Sequence, residues 1–223
     1  MFDLVKINVG LNLLIENDNY LLINDVSERA ITHKLAEYYQ NLFPKWNVDC
    51  EYNKNLGKTK EILIQPELLL MQMAKYLEKK EYNIELDNEE YLPREELKYL
   101  AKQLTKTENI EYVEDLGIYL FAIESYKDHD KKIKKAIFPD IIIHHRGIKE
   151  NKIVIEAKKS NNKNKQSRIF DLIKLITLTT SSEFEYQHGI FIDIPVKEEF
   201  SSNCKFKKEN TLFPKVFKYK YYN

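Results

Sequence analysis

Ile137-Phe138-Pro139-Asp140-Ile141-Ile142-Ile143 and, after a short polar stretch, Lys152-Ile153-Val154-Ile155-Glu156-Ala157-Lys158 decide how this chain is read. Each is a brief apolar run rich in β-branched residues, the composition of a buried strand. Between them, His145 to Asn151 centre on Gly147 and have the make-up of a turn, so the two runs are expected to pair as a hairpin. Side chains two apart on a strand share a face, so Glu156 and Lys158 point one way and Ala157 the other. Pairing with the strand that begins near Asp140 brings the Asp140 carboxylate beside Glu156. Two carboxylates flanked by an ammonium suit a hard divalent cation, which takes a few carboxylate oxygens and completes its shell with water and phosphate. The expected chemistry is phosphodiester hydrolysis. The metal polarises the phosphate and lowers the pKa of a bound water, while Lys158 positions that water or helps to deprotonate it.

Working outward, Arg168 to Thr179 repeats Ile169, Leu172, Ile173 and Ile176 at helical spacing, and Gly189 to Ile194 is a last apolar strand stopped by Pro195. Upstream, Trp46, Val48, Cys50 and Tyr52 alternate with Asn47, Asp49 and Glu51 as a strand with one buried face. A helix from about Val26 to Leu42 precedes it, with Asp25 as N-cap and Pro44 as its stop. Leu4, Ile7, Leu11 and Leu14 predict a further helix, although Gly10 weakens it and a hairpin through Asn17-Asp18-Asn19 is the alternative. Pro66 opens a helix to about Lys80, Pro93 another to about Leu104, and an aromatic-rich segment spans Tyr112 to Tyr126. The expected architecture is an α/β core of residues 1–53 and 136–223 with a mainly helical insertion, 54–135, after the first strand. Its order is helix, strand, insertion, strand, strand, helix, strand.

The chain has 223 residues, 43% of them hydrophobic and 31% charged, enough for one full core with an insertion. Two cysteines give no disulfide framework and no zinc-site spacing. No leader pattern or membrane-length apolar run is present, and a cytoplasmic protein without a membrane partner is expected. The formal net charge of zero conceals a division. Residues 127–168 carry thirteen Lys or Arg against five Asp or Glu, whereas residues 78–124 carry six against thirteen. A basic segment therefore surrounds the candidate site, and the acidic insertion is unsuited to gripping DNA directly. The tail from Ser201 to Asn223 mixes lysines with aromatic residues. Its ordinary reading is an edge strand or strap packing rings on the body; the other is a track for a nucleic-acid backbone.

Phe138-Pro139-Asp140 followed by Glu156-Ala157-Lys158, in this order of elements, resembles the PD-(D/E)xK nuclease superfamily, the restriction endonuclease-like fold. The resemblance covers roughly residues 25–53 and 137–195. Helix residues Glu28-Arg29-Ala30-Ile31-Thr32-His33 and strand residues Val48-Asp49-Cys50-Glu51-Tyr52-Asn53 are most similar to uncharacterised bacterial members. It implies a mixed four-stranded sheet flanked by helices, with Asp140, Glu156 and the Ala157 carbonyl as ligands to Mg2+ or Mn2+ and Lys158 as the catalytic lysine. Glu28 matches the acidic residue that many members add from the first helix, as a further catalytic and metal-ligating group. The implied substrate is DNA more than RNA, and cutting a duplex suggests a homodimer. The insertion is a place for substrate selection or a protein partner. A non-catalytic module that keeps the fold is the rival expectation.

Several residues have plainer roles open to them. Glu156 and Lys158 could form an ion pair at a strand end. Glu28, three residues after Asp25, could close a capping box. Asp49 and Glu51 share a face that is either solvated or turned to a metal. His144 and His145 end the Asp140 strand and are expected to face solvent at the turn, with a substrate contact as the alternative. Gln166 and Arg168, with Lys159, are candidates to bind substrate phosphate, or else lie on an ordinary helix surface. Lys131 to Lys135 is a solvated charge run or a backbone contact.

Overall fold

The computed structural model describes residues 2–64, 133–162, 164–210 and 215–222. Helix α1 (Phe2–Ile23) leads into α2 (Glu28–Leu42). Gly10 lies against the Tyr39 ring, where a Cβ would clash, so this glycine lets the two helices approach closely. The Asn17-Asp18-Asn19 segment is a kink at Asp18, φ −128° and ψ 29°, and the hairpin alternative fails. The cap of α2 also departs from expectation. Ser27, not Asp25, is the N-cap, accepting the Ala30 N–H at 3.2 Å. Asp25 stands before it at φ 50°, so no Asp25–Glu28 capping box forms and Glu28 opens the helix.

The strands follow as β1 (Asn47–Cys50), β2 (Lys54–Asn55), β3 (Lys58–Thr59), β4 (Glu61–Ile64), β5 (Ile133–Ala136), β6 (Ile141–His145) and β7 (Glu150–Lys159). Helix α3 (Lys165–Thr180) then leads to β8 (His188–Ile194), a short 3-10 turn (Lys197–Glu199), β9 (Lys205–Asn210) and β10 (Val216–Tyr222). Strand β1 ends before Tyr52, because Glu51 turns into the left-handed region at φ 49°. The main sheet is mixed and six-stranded, in the order β1-β6-β7-β8-β10-β9. The four expected strands form one side of it. The basic tail supplies the other two, β10 running parallel to β8 and β9 closing the edge antiparallel to β10. Beside it, β2 pairs with β3 and β4 with β5. The 54–135 stretch is thus described at its two ends, which are strands; its expected helices at 66–80 and 93–104 lie outside the described residues.

Alternation sorts the sheet into two faces. Ile141, Ile143, Ile153, Ile155, Ile190 and Ile192 are buried with α1 and α2, each contributing about 1.5–3 kcal/mol. Ile142, Val154 and Phe191 are equally buried on the opposite face, where α3 packs on β7 and β8. A sheet clad on both sides leaves little room for charge, so any charged residue on the α3 side must find partners there. Among the described residues no helix is long and apolar enough to cross a membrane.

Candidate functional site

The expected hairpin forms, with Ile141 opposite Ile155 across β6 and β7. Extending that register by one residue sets Asp140 opposite Glu156. The Asp140 carboxylate accepts the Ala157 N–H through Oδ2 at 2.8 Å, which fixes it over the start of the pairing. Glu156 and Lys158 then project toward α3, where Asp171 and Lys174, spaced three apart on one helix face, meet them.

Contacts at this end of the sheet form a chain. Lys174 Nζ lies 2.7 Å from Glu156 Oε2 and 2.7 Å from Asp171 Oδ1. Lys158 Nζ lies 3.0 Å from Asp171 Oδ2 and donates to Glu28 Oε1 at 2.9 Å and to the Ala157 carbonyl at 3.3 Å. Glu28 reaches in from the first turn of α2 and also accepts the Lys159 N–H through Oε2 at 3.2 Å. Three carboxylates, Glu28, Asp171 and Glu156, thus share two ammonium groups, and Asp140 stands beside them on the Ala157 N–H. Their burial makes that imbalance matter, since relative exposure is 0% for Glu156, 4% for Asp171, 7% for Lys158 and 8% for Lys174. Glu156 Oε1 is buried with no hydrogen-bond donor among the described residues.

Burial pushes Asp140 up to about 6, with the Ala157 N–H and the two lysines opposing it. Burial also holds Glu156 well above the ordinary carboxylate range; Lys174 offsets part of this, and Asp140 and Asp171 add to it. For Lys158, burial works against the ammonium, but Asp171, Asp140 and Glu28 outweigh it and keep the group protonated. Lys158 is therefore a fixed cation and hydrogen-bond donor in this arrangement, not a base. Among the described residues no three His, Cys, Asp or Glu side chains are grouped to hold a metal ion. The acidic residues able to take one are the facing pair, Asp140 and Glu156, with the Ala157 carbonyl beside them. Glu28 is not gathered with this pair, and its contacts make it a holder of Lys158.

The remaining candidates are dispersed. Arg168 ion-pairs with Asp193 and lies 5.1 Å from the Phe191 ring, so it is built into the α3–β8 contact. Lys159 is tied to Asp25 at 2.8 Å and to the Val26 carbonyl at 3.2 Å, anchoring the loop before α2. Gln166 lies in the first turn of α3, and its side chain is outside the described residues. Of the lysine run, Lys131 and Lys132 are likewise outside, and Lys134 and Lys135 belong to β5.

Two expectations are overturned on the neighbouring strands. His144 is buried, at 4% exposure, and Asp49 is nearly so. The Asp49 carboxylate is bonded to His144 Nε2 at 2.9 Å and accepts from Arg146 Nε at 2.8 Å, with a second contact to Arg146 Nη2. Burial alone would raise Asp49, but these bonds outweigh it and hold the carboxyl below its ordinary value. Glu51 pairs with Arg29 at the surface, and His145 stacks on Trp46 at 4.2 Å.

Asp171 and Lys174 are the site residues that the sequence reading did not pick out. Their signal was present as two opposite charges at i and i+3 among the apolar residues Leu172, Ile173, Leu175 and Ile176. No family model, curated protein or solved structure matches this chain.

Proposed function

We propose that this protein is a metal-dependent nuclease of the PD-(D/E)xK type, acting on DNA more readily than on RNA. The observation that carries the reading is Glu156 Oε1, an oxygen with no donor among the described residues, on a wholly buried carboxylate set opposite Asp140. Buried polar atoms are nearly always satisfied, so an orphan beside a second carboxylate is where a ligand is to be sought. The donor set fits magnesium or manganese. These ions need only one or two protein carboxylates, the rest of the shell being water and phosphate oxygen, so the lack of a three-acid group does not count against them. The electrostatics fit as well, since burial opposes ionisation of Asp140 and Glu156, and a cation between them would favour their charged forms.

Asp140, Glu156 and the Ala157 carbonyl would hold the ion. When bound, it would supply Lewis-acid polarisation of the phosphate and lower the pKa of a coordinated water. The protein's own groups do the rest. Lys158, kept cationic by its carboxylate neighbours, donates to the phosphate or the attacking water and offsets negative charge as it develops. Glu28 and Asp171 fix the Lys158 ammonium from two sides, limiting its rotamers so that little reorganisation is needed. Lys174 serves as counter-ion to Glu156 and Asp171 and keeps the cluster compact. Two free cysteines fit a reducing, cytoplasmic setting.

One observation favours the rival, a binding module that does no chemistry. The 2.7 Å Lys174–Glu156 pair gives the carboxylate a partner without any metal. A single experiment separates the two. The protein is incubated with labelled single-stranded and duplex DNA and RNA, with Mg2+, Mn2+ or chelator, beside Asp140→Asn, Glu156→Gln and Lys158→Met. Metal-dependent cutting that all three variants lose is the expected result. Binding without cutting on any substrate, shared by the variants, would establish the module instead.

A further inference from the structure

The C-terminal strands carry a charge pattern that the catalytic cluster does not use. Lys220 on β10 stands directly opposite Lys207 on β9, and Lys205 lies two residues beyond Lys207, opposite Tyr222. All three lysines are exposed, and among the described residues none pairs with a carboxylate. Tyr222 is 43% exposed, and Lys207 Nζ lies 5.5 Å from its ring. Residues in lateral register point to the same face of a sheet. Lys158 on β7 is opposite Asp193 on β8, and extending the β8–β10 register by one residue puts Lys220 opposite Asp193. One row therefore crosses four strands through Lys158, Asp193, Lys220 and Lys207. The ribbon's lysines share the face of Asp140, Glu156 and Lys158. At about 4.8 Å per strand the row spans about 15 Å, the rise of roughly four phosphates along one nucleic-acid strand.

Lysine on an edge strand is also the ordinary protection against stray strand pairing. That purpose is served by charges on β9 alone. It gives no reason for Lys220 on the inner strand to face Lys207, since like charges directly opposite destabilise a pair of strands. A polyanion lying across the ribbon would relieve that repulsion. The aromatic residues on the ribbon's other face, Phe206 and Tyr219, are buried and hold it against α1, so the lysines are displayed on a firm support.

We propose that the α3-side face of the β9–β10 ribbon, through Lys205, Lys207 and Lys220, is the surface that carries the phosphate backbone of a nucleic acid toward the Asp140–Glu156–Lys158 site. The choice of occupant rests on the nuclease reading. The test measures binding rather than cutting, so that the two can fail separately. The full chain, in chelator, is titrated against labelled DNA and RNA oligonucleotides by fluorescence anisotropy over a range of salt. Lys205→Glu/Lys207→Glu/Lys220→Glu is expected to weaken binding at least about tenfold and to flatten the log–log salt dependence by about two to three. Lys207→Glu alone is expected to weaken binding while melting no lower than wild type, because it turns a repelling cross-strand pair into an attracting one. A folded triple variant with unchanged affinity and salt slope overturns the proposal. So does a wild-type chain that ignores oligonucleotides, including one that instead sediments with phosphatidylserine vesicles through these lysines. Lysine-dependent binding by a chain that never cuts upholds the ribbon assignment and removes the nuclease reading.

Discussion

Asp49 and Glu156 are both acidic residues on the α3-side face of the sheet, two strands apart, yet they are partnered in opposite ways. Each Asp49 oxygen meets a donor, His144 and Arg146 on one and Arg146 on the other. Glu156 is the more deeply buried, has one lysine beside Oε2 and, among the described residues, no hydrogen-bond donor on Oε1. The two environments pull the carboxyls apart, Asp49 below its ordinary value and Glu156 well above it. A carboxylate surrounded by donors is a strut, and its charge is used up in joining β1 to the β6–β7 turn. A buried carboxylate short of donors is maintained at a cost to stability, which a fold tolerates where a ligand or a reaction needs it. Burial and charge alone do not mark a functional acid; the unmet demand does.

The sharpest way to break this comparison is by activity. Asp140→Asn, Glu156→Gln and Lys158→Met should each lower metal-dependent cleavage by about 10³-fold, since each removes several kcal/mol of transition-state stabilisation. Asp49→Asn should leave cleavage within a few-fold of wild type. Rates on a labelled duplex, measured side by side, check both halves. Equal loss from Asp49→Asn would mean that the strut cluster is part of the site.

Lys174→Met tests the unmet demand itself. It strips Glu156 and Asp171 of their shared ammonium, and breaking a buried pair in this way destabilises by about 3–5 kcal/mol. The metal-free variant should therefore melt well below wild type. Adding Mn2+ should raise its melting temperature by more than it raises that of wild type, because an internal competitor for Glu156 has gone. Thermal melts with and without metal, with calorimetric titration of Mn2+, make the check. A variant that melts lower but binds Mn2+ no better than wild type would show Lys174 to be a structural counter-ion only.

A smaller effect of opposite sign should separate the struts. Asp49→Asn removes the negative charge and replaces one of the two acceptor oxygens that Arg146 and His144 share with an NH2 donor, and should lower stability by about 1–3 kcal/mol. In chelator, Glu156→Gln should leave stability unchanged or raised, because it removes a buried charge that lacks full compensation. Urea unfolding of the two variants against wild type reads the sign directly.

How much of this was legible follows from the range of the interactions. The hairpin and the shared face of Glu156 and Lys158 could be read because alternation along one strand is a local property. Asp140 followed from the pairing of two neighbouring strands. The cap of α2 could not be read in the same way. Asp25 and Ser27 are both good caps, and the choice turns on Lys159 and Lys197, which pair with the Asp25 carboxylate from far along the chain. His144 read as a turn residue because Asp49, its partner, lies on another strand. The tail alternates lysine and aromatic residues, which suits a strap as well as a strand; only β8 running parallel to it makes it part of the sheet. Asp171 and Lys174 were hidden by the habit of assigning charges on a helix to its wet face, whereas α3 has none at that level.

The finest distinction between the two clusters is the sign of their pH dependence in chelator. Asp49 titrates below its ordinary 3.8 in the folded state, so between the two values the unfolded chain binds more protons. Its stabilisation is complete above 3.8 and is lost as pH falls through the folded value. Asp140 is raised to about 6, so between 3.8 and 6 the folded chain binds more protons. Its contribution is fullest below 3.8 and is lost as pH rises through about 6. The deficit of Asp49→Asn relative to wild type should therefore stay constant from about pH 5 upward and shrink below about pH 4. Asp140→Asn should gain on wild type as pH rises through about 4 to 6 and hold that gain above. Melting temperatures of the three proteins across that range decide it. Parallel curves for the two variants would mean that the clusters are electrostatically alike, and that the missing donor at Glu156 has no counterpart in the energetics of the site.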